Sequence, residues 1–171
     1  HYCFKYIFKF ADKIIVNSYE FKRKFKKRFN LKTTCIYNPL DKDNIIKKSK
    51  IKTKFFLKKN HLNIINVGRF TDQKDQITLL KALNEIKNKI KFSLLIVGRG
   101  KEKNNLLEFI SVNNLSKNVK LINFRENPFN LIKNSDLFIL TSIYEGLPNV
   151  ILEAITLKKF MISSSCPTGP K

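Results

Sequence analysis

Short apolar runs alternate with helical patterns from residue 61 to residue 171, and this alternation restricts the fold more than any other feature. The apolar runs have the length of buried strands and occupy residues 62–67, 92–97, 119–124, 137–140 and 160–163. Between them, apolar residues recur at helical spacing, most clearly over residues 76–90. The connections are too short for anything but right-handed parallel crossovers. The sequence therefore predicts an α/β fold with a doubly wound parallel sheet, on which ligands bind beyond the carboxyl ends of the strands.

The first sixty residues have a different pattern. Residues 13–16 and 33–37 are interpreted as two further strands that flank a basic helix, for which Ser18 is the expected N-cap. A lysine-rich stretch follows, with helical character expected near residues 51–57. The pattern starts and stops midway, so we expect part of a longer protein. The expected divisions are the end of an N-terminal domain (residues 1–40), a linker (residues 41–60) and a second domain (residues 61–171).

The composition favours a globular protein of the cytoplasm. The 171 residues are 43% hydrophobic and include 15 Phe, enough for the core of one domain or one and a part. No apolar run reaches the roughly 18 residues that cross a bilayer, and no signal peptide is visible. Cys3, Cys35 and Cys166 are widely spaced, which is typical of reduced thiols. Because no Cys/His cluster has ligand spacing, we expect no metal site.

The net charge of +21 is compatible with binding to nucleic acid, with an anionic membrane surface or with a bias toward lysine, and it does not choose among them. Within the basic residues 21–29, Phe21, Phe25 and Phe29 form an apolar stripe on a helix otherwise covered with cations. Such a stripe is most often a core contact, and the alternative is attachment to anionic lipid. A nucleic-acid-binding module is disfavoured, because the cations are not interleaved with stacking aromatic residues and no helix-turn-helix or zinc signature is present.

Two glutamates eight positions apart, Glu145 and Glu153, accompany the loop and helix that follow the fourth strand of the second domain. Pro148 suits the first helical position, and the free N–H groups of residues 146–150 would attract phosphate. Gly146 permits a ligand to approach the backbone closely. Because carboxylates accept hydrogen bonds from sugar hydroxyls, the pair would grip two parts of a sugar nucleotide. The alternative is that Glu145 interacts with the helix dipole and Glu153 is a solvated helix residue.

Glycine-containing loops follow the first two strands of the second domain. In the first loop, Gly68 allows a tight turn, while Arg69 and Lys74 supply cations that suit a diphosphate. The alternative is that both cations are simply solvated. In the second loop, residues 98–101 complete neither the dinucleotide-binding Gly-x-Gly-x-x-Gly pattern nor the Walker pattern, which disfavours dehydrogenases and P-loop NTPases. The polar turn at residues 125–128 would either present backbone groups to a base or be an ordinary connection.

Several segments occur together in an order and spacing that a known family shares. They are Gly68-Arg69 with Lys74, Val97-Gly98-x-Gly100, Asn123-Phe-Arg125 with Asn127-Pro128, Ser135-Asp136, Ser142-x-Tyr144-Glu145-Gly146-Leu147-Pro148, Glu153-Ala154 and Cys166-Pro-Thr-Gly-Pro170. In these segments the chain resembles the GT-B glycosyltransferases of family 4, strongly over residues 61–171 and more weakly over residues 11–40. The resemblance implies two Rossmann-like domains, of which the chain would contain the end of the first and a truncated second.

The resemblance also implies a role for each matching residue at a site for a nucleotide-sugar donor. Arg69 and Lys74 would hold the diphosphate and Glu145 would contact the transferred sugar, so these three are the candidate catalytic residues. Glu153 would bind the ribose hydroxyls. The remaining candidates would line the loops or present backbone N–H groups to the phosphates and the sugar, namely Gly68, Gly146, Leu147, Pro148 and Asn149. The turn at Phe124 and Arg125 would lie against the base.

A retaining, metal-independent glycosyltransferase without a cofactor is implied, in which cations and helix dipoles stabilise the leaving diphosphate. The donor would be a UDP-sugar, and a hexosyl or N-acetylhexosaminyl group would pass to a growing bacterial surface glycan or a lipid-linked saccharide. The enzyme would be cytoplasmic, with peripheral attachment to the inner membrane. The chain alone is expected to be inactive, because most of the acceptor-binding domain is absent. The Asp41-Lys-Asp43 match to metal-dependent transferases is interpreted as coincidence. The alternatives are a catalytically silent sugar-nucleotide binder and a basic nucleic-acid-binding module.

Overall fold

The N-terminal part of the protein contains a β–α–β unit. The structure, a computed structural model, describes residues 6–8, 10–52 and 58–167. Strand β1 (Ile15–Val16) and strand β2 (Thr34–Cys35) pair in parallel, and helix α1 (Tyr19–Phe29) connects them. Ser18 is the N-cap of α1, as predicted, because its Oγ accepts a 3.1 Å hydrogen bond from the N–H of Phe21. The predicted strands and helix are confirmed, although each strand is only two residues long.

Helices and strands alternate from residue 42 to residue 163. They are helix α2 (Lys42–Ser49), strand β3 (Leu62–Val67), helix α3 (Gln76–Ile86), strand β4 (Phe92–Gly98), helix α4 (Lys103–Val112), strand β5 (Val119–Asn123), helix α5 (Phe129–Lys133), strand β6 (Leu137–Leu140), helix α6 (Asn149–Thr156) and strand β7 (Phe160–Ser163). Each of the five strands predicted after residue 61 is present, with its ends within one residue of the expected positions. The predicted α/β alternation is therefore confirmed.

The main sheet has the strand order β5-β4-β3-β6-β7, and every neighbouring pair is parallel. The chain moves outward from β3 through β4 to β5, and then returns to the other side of β3 to form β6 and β7. This reversal makes a doubly wound sheet, as predicted. It also creates a crevice between the carboxyl ends of β3 and β6, which is where ligands bind in open α/β sheets.

Apolar side chains fill the space on both faces of this sheet. Successive residues point to opposite faces, so Ile64 packs with the core beside α3 and α4, whereas Ile65 packs with the core beside α5 and α6. Every residue of β4 is buried, as expected for a central parallel strand that is covered on both sides. Burial of each large aliphatic or aromatic side chain contributes about 1.5–3 kcal/mol, so the central strands hold the crevice rigidly in place.

Helix α2 lies in the segment that the sequence suggested as a linker. It precedes the helical character expected near residues 51–57, of which residues 53–57 lie outside the described part of the chain. Asp41 caps the helix by accepting a 3.0 Å hydrogen bond from the N–H of Asn44. Ile45 is buried in the core beside α5 and α6, and α2 packs against both helices. The pattern was missed because a helix that buries one isoleucine leaves almost no apolar periodicity.

Two helix ends also differ from the predicted positions. Helix α3 ends at Ile86 and not at residue 90, because the next three residues are Lys, Asn and Lys and offer the core no apolar side chain. Pro148 was predicted at the first helical position, but it is the N-cap of α6 because its ψ of 103° is extended, and the helix begins at Asn149. The proline still marks the start of the helix.

Candidate functional site

Gly98, the last residue of β4, and Gly100, two residues later, support the loop that follows β3. A Cβ atom at position 98 would lie 1.9 Å from the carbonyl oxygen of Gly68, so only glycine fits there. Gly100 has a φ of 154°, and a Cβ there would lie 2.2 Å from the carbonyl oxygen of Phe70. The N–H of Phe70 donates a 2.9 Å hydrogen bond to the carbonyl of Arg99. The chain bends at Gly68 without a positive φ, whereas the close contacts that exclude a side chain are at Gly98 and Gly100.

Arg69 and Lys74, the two predicted diphosphate ligands, have different surroundings. Arg69 is exposed, and its guanidinium donates a 3.4 Å hydrogen bond to Gln73. The Lys74 side chain is mostly buried, and its ammonium pairs with the carboxylate of Glu145. Arg69 is therefore open to an anionic ligand, whereas Lys74 already has an anionic partner.

Glu145 is the buried carboxylate of the site, with a side chain that is 6% exposed. Its Oε1 accepts hydrogen bonds from the ammonium of Lys74 and from the Ser142 hydroxyl, the latter at 2.6 Å. The Ser142 carbonyl in turn accepts a 2.6 Å hydrogen bond from the hydroxyl of Ser164, which follows β7. Two predicted catalytic residues are thus brought together, and they contact each other. Ser142 belongs to a segment that resembles the family, yet nothing in the sequence indicated that its hydroxyl would bind Glu145.

Further hydrogen bonds join the loop after β3 (residues 68–75, the β3 loop) to the loop after β6 (residues 141–145, the β6 loop). The side-chain amide of Gln73 donates to the backbone carbonyl of Tyr144 at 3.0 Å. The backbone carbonyl of Gln73 accepts from the N–H of Ile143 at 2.8 Å. The Thr141 hydroxyl donates to the carbonyl of Asp75 at 2.8 Å. Both loops therefore form one connected wall at the crevice between β3 and β6.

The residues that follow, 146–153 (the α6 start), present unsatisfied donors. The proline N-cap offers no side-chain acceptor to the helix. Among the described residues, no acceptor receives the backbone N–H groups of Gly146, Leu147, Asn149 and Val150. Since these groups lie at the positive end of the helix dipole, the α6 start can receive an anion. Glu145 makes no side-chain cap hydrogen bond to α6, and its carboxylate is paired with Lys74.

Glu153 lies on α6 and is partly buried. Within the described part of the chain its carboxylate has neither a hydrogen bond nor an ion pair. Burial raises the pKa of Glu153 above its ordinary value, because the charged form loses contact with water. The alternative of a fully solvated helix residue is therefore wrong. A carboxylate that is partly removed from water and has no protein donor is suited to hydroxyl groups of a ligand.

Phe124 and Arg125 follow β5 and are exposed, as the turn predicted to lie against the base requires. The guanidinium of Arg99 lies 5.1 Å from the centre of the Phe124 ring. The register of β4 and β5 pairs Gly98 with Asn123, which brings the two loops side by side. Arg99 was missed as a site residue because the sequence does not show which loops are neighbours. Together these side chains offer an aromatic and cationic surface at the edge of the site.

The described residues contain no group of three or more His, Cys, Asp or Glu side chains that could hold a metal ion. Asp41 is used to cap α2, as described above. Within the same ranges, no helix is both long and apolar enough to cross a membrane.

Known proteins resemble the chain in sequence and in fold. The family model for "Glycosyl transferases group 1" matches residues 47–171. An uncharacterized glycosyltransferase of Methanocaldococcus jannaschii is 36% identical over 98% of this chain and 43% of its own length. The UDP-Gal:alpha-D-GlcNAc-diphosphoundecaprenol alpha-1,3-galactosyltransferase of Escherichia coli is 35% identical over 72% of this chain and 34% of its own length.

The fold comparison agrees. The crystal structure of a glycosyltransferase from Rickettsia africae superposes with a TM-score of 0.82 at 21% identity, over 97% of this chain and 48% of that one. The chain thus spans less than half the length of the relatives that it matches. Family match, sequence identity and fold agree that the chain belongs to the group 1 glycosyltransferases, with the fold of the GT-B enzymes.

Proposed function

We propose that the chain binds the donor in a retaining, metal-independent glycosyltransferase that uses a UDP-sugar. The transferred group is a hexosyl or N-acetylhexosaminyl unit, and the acceptor is a lipid-linked saccharide or a growing bacterial surface glycan. The observation that carries the proposal is the meeting of Lys74, Glu145 and the uncapped start of α6 at the crevice between β3 and β6. The Escherichia coli relative, named for a UDP-sugar donor and a lipid-linked acceptor, supports this choice.

The diphosphate of the donor is assigned to Arg69, Lys74 and the N–H groups of the α6 start. Arg69 is the exposed cation, and the uncapped N–H groups supply neutral donors of the right geometry. When the bond between the sugar and the diphosphate breaks, negative charge builds on the leaving oxygen. Positioned cations and dipoles stabilise that charge without a metal ion.

The sugar and the ribose are assigned to the two glutamates. Glu145 lies beside Gly146 and is oriented by Lys74 and Ser142, so it can accept from a sugar hydroxyl without first losing side-chain freedom. Glu153 is partly buried without a donor, which suits the two ribose hydroxyls. Phe124, Arg125 and Arg99 are assigned to the base, because Arg99 lies against the Phe124 ring and the two loops are neighbours.

We further propose a cytoplasmic enzyme that attaches peripherally to an anionic membrane through α1. The ring centre of Phe8 lies 5.1 Å from that of Phe25 in the predicted phenylalanine stripe, and no residue of α1 is buried. The cationic side of the same unit lines a cavity of about 700 Å³ with Lys13, Lys22, Lys26 and Lys32. Lysines near a bilayer contribute about 1 kcal/mol each with anionic lipid, which favours a membrane over neutral surfaces.

Calorimetry of the chain with UDP, GDP and ADP, followed by their sugar conjugates, tests the donor assignment. We expect UDP and at least one UDP-sugar to bind, and we expect binding without transfer because the chain spans less than half of its relatives. If no nucleotide binds, the proposal is wrong. If mixed RNA or DNA binds and the binding survives moderate salt, a nucleic-acid function replaces it, because purely electrostatic binding weakens steeply with salt.

A further inference from the structure

Asn17 lies directly against Gly146, across the crevice from the sheet. A Cβ atom at position 146 would lie 3.1 Å from Oδ1 and 3.4 Å from Nδ2 of Asn17, and its three nearest atoms all belong to this amide. Gly146 has no positive φ, so its backbone conformation does not require glycine. The absence of a side chain at position 146 therefore leaves room for the Asn17 amide.

The amide of Asn17 is available to a ligand. The residue is half-buried, and among the described residues its side chain has no hydrogen-bond partner. An amide carries two donors and two acceptor lone pairs, and leaving them unused at a partly buried position is unfavourable. The adjacent N–H groups of Gly146 and Leu147 are also without an acceptor in this part of the chain. Donors from both sides of the crevice thus meet at one place.

A second contact shows that the end of the N-terminal unit reaches the same loop. Asn38 follows β2 and donates a 2.7 Å hydrogen bond from its amide to Oδ1 of Asn149, at the first residue of α6. Asn17 follows β1, which is paired in parallel with β2. The carboxyl ends of β1 and β2 therefore form an opposite wall, in which Asn38 holds the helix and Asn17 faces the space beside Gly146.

We propose that Asn17 binds the transferred sugar of the donor and helps to determine which sugar is accepted. An amide both donates and accepts, which matches a hydroxyl group better than the charged diphosphate does. Its neighbours are Gly146 and, one residue earlier, Glu145, the carboxylate assigned to the sugar, whereas the ribose is assigned to Glu153 farther along α6. The inference rests on the proposed function, because it adds a residue to the same donor site.

Calorimetry on Asn17→Ala with UDP and with UDP-galactose, UDP-glucose and UDP-N-acetylglucosamine tests the inference. For the UDP-sugar that binds the unmodified chain most tightly, we expect an affinity about 3- to 10-fold lower, the effect of losing one or two neutral hydrogen bonds. The affinity for UDP should change by less than about twofold, because UDP has no sugar beyond its phosphates. Asn17→Asp should weaken both ligands, because a carboxylate repels the nearby diphosphate.

The matched control is Asn104→Ala, which removes an exposed amide from α4 and should leave both affinities unchanged. Thermal unfolding of each variant establishes that it is folded. Equal losses for UDP and UDP-sugar in Asn17→Ala, or no loss for either, would overturn the role of Asn17 while leaving the proposed function intact. If the unmodified chain binds UDP but no UDP-sugar, or binds neither, the proposed function fails and the inference fails with it.

Discussion

The β6 loop and the α6 start are adjacent in sequence, yet they differ in how their polar groups are satisfied. In the β6 loop, Ser142 and Glu145 already have partners, and Lys74 is bound to Glu145 from the β3 loop. In the α6 start, backbone N–H groups and the carboxylate of Glu153 lack partners among the described residues. The first region is organised by the protein itself, whereas the second region retains groups that the proposed donor would bind. Substitutions in the first should change stability most, and substitutions in the second should change binding most.

The largest effect should come from Lys74→Met. This change leaves the buried carboxylate of Glu145 without its cation, and breaking one side of a buried pair destabilises a protein by about 3–5 kcal/mol. Urea unfolding measures the loss. The matched control is Lys101→Met, which breaks the exposed pair with Asp72 and should leave stability unchanged within error. Equal effects in the two variants would show that the Lys74–Glu145 pair does not form as described.

Arg69→Ala should weaken donor binding without unfolding the protein. The guanidinium is exposed, and its hydrogen bond to Gln73 contributes little to stability. Loss of a charge-assisted contact to phosphate costs about 1.5–3 kcal/mol, so the affinity for UDP should fall about 10- to 150-fold in calorimetry. Arg23→Ala removes the same charge from α1 and should lower the affinity far less. If UDP affinity falls equally in both variants, Arg69 contributes only its positive charge and does not contact the diphosphate.

Glu153→Gln should separate stability from binding. Burial raises the pKa of Glu153, so the folded protein binds this proton more tightly than the unfolded chain does. The stability that the group contributes is therefore present at low pH and is lost as the pH rises through the folded pKa. The variant should therefore have a slightly higher Tm than the unmodified chain at neutral pH, and the difference should disappear below the ordinary pKa of glutamate. Its affinity for UDP should fall about tenfold, because a carboxylate accepts more strongly from ribose hydroxyls than an amide does. A lower Tm at neutral pH would show that Glu153 has a protein partner.

The smallest change in stability should come from Gly146→Ala. The three atoms nearest to the new methyl group would all belong to the amide of Asn17, and if this amide moves by a few tenths of an ångström the stability should change by less than about 0.5 kcal/mol. Gly98→Ala is the contrasting variant, because its methyl group would collide with the backbone of Gly68 and should destabilise the protein clearly in urea. If Gly146→Ala is as damaging as Gly98→Ala, the Asn17 amide beside Gly146 cannot move aside for a methyl group.

The fold could be predicted well because its signal is local. Buried parallel strands are continuous apolar runs, and the helices between them show their own spacing, so the strand ends after residue 61 were correct to within one residue. Helix α2 was missed because Ile45 is its one apolar residue buried in the core, and a single residue produces no helical spacing. Its N-cap, Asp41, adds no apolar signal. The strand order also brings the β3 loop beside the β6 loop, and the sequence does not show that these two loops are neighbours.

The candidate site could be predicted only in its parts. Arg69, Lys74 and Glu145 were named from loops at strand ends and Glu153 from the helix that follows, and their roles toward a donor stay predictions. What the sequence could not show was the pairing of Lys74 with Glu145, which are 71 residues apart, or the contact of Asn38 with Asn149, which are 111 residues apart. Local spacing contains no information on which side chains meet across a crevice.

A net charge of +21 favours nonspecific attraction of polyanions, such as inorganic polyphosphate and RNA. The bond between Lys74 and Glu145 shields one cation of the site from such competitors, because an anion that offers nothing to the carboxylate must compete with Glu145 for the ammonium. A sugar nucleotide can offer phosphate to the cation and hydroxyls to the carboxylate at the same time. Under the proposed assignment, the pair would act as a filter that favours the complete donor over phosphate compounds that lack a sugar.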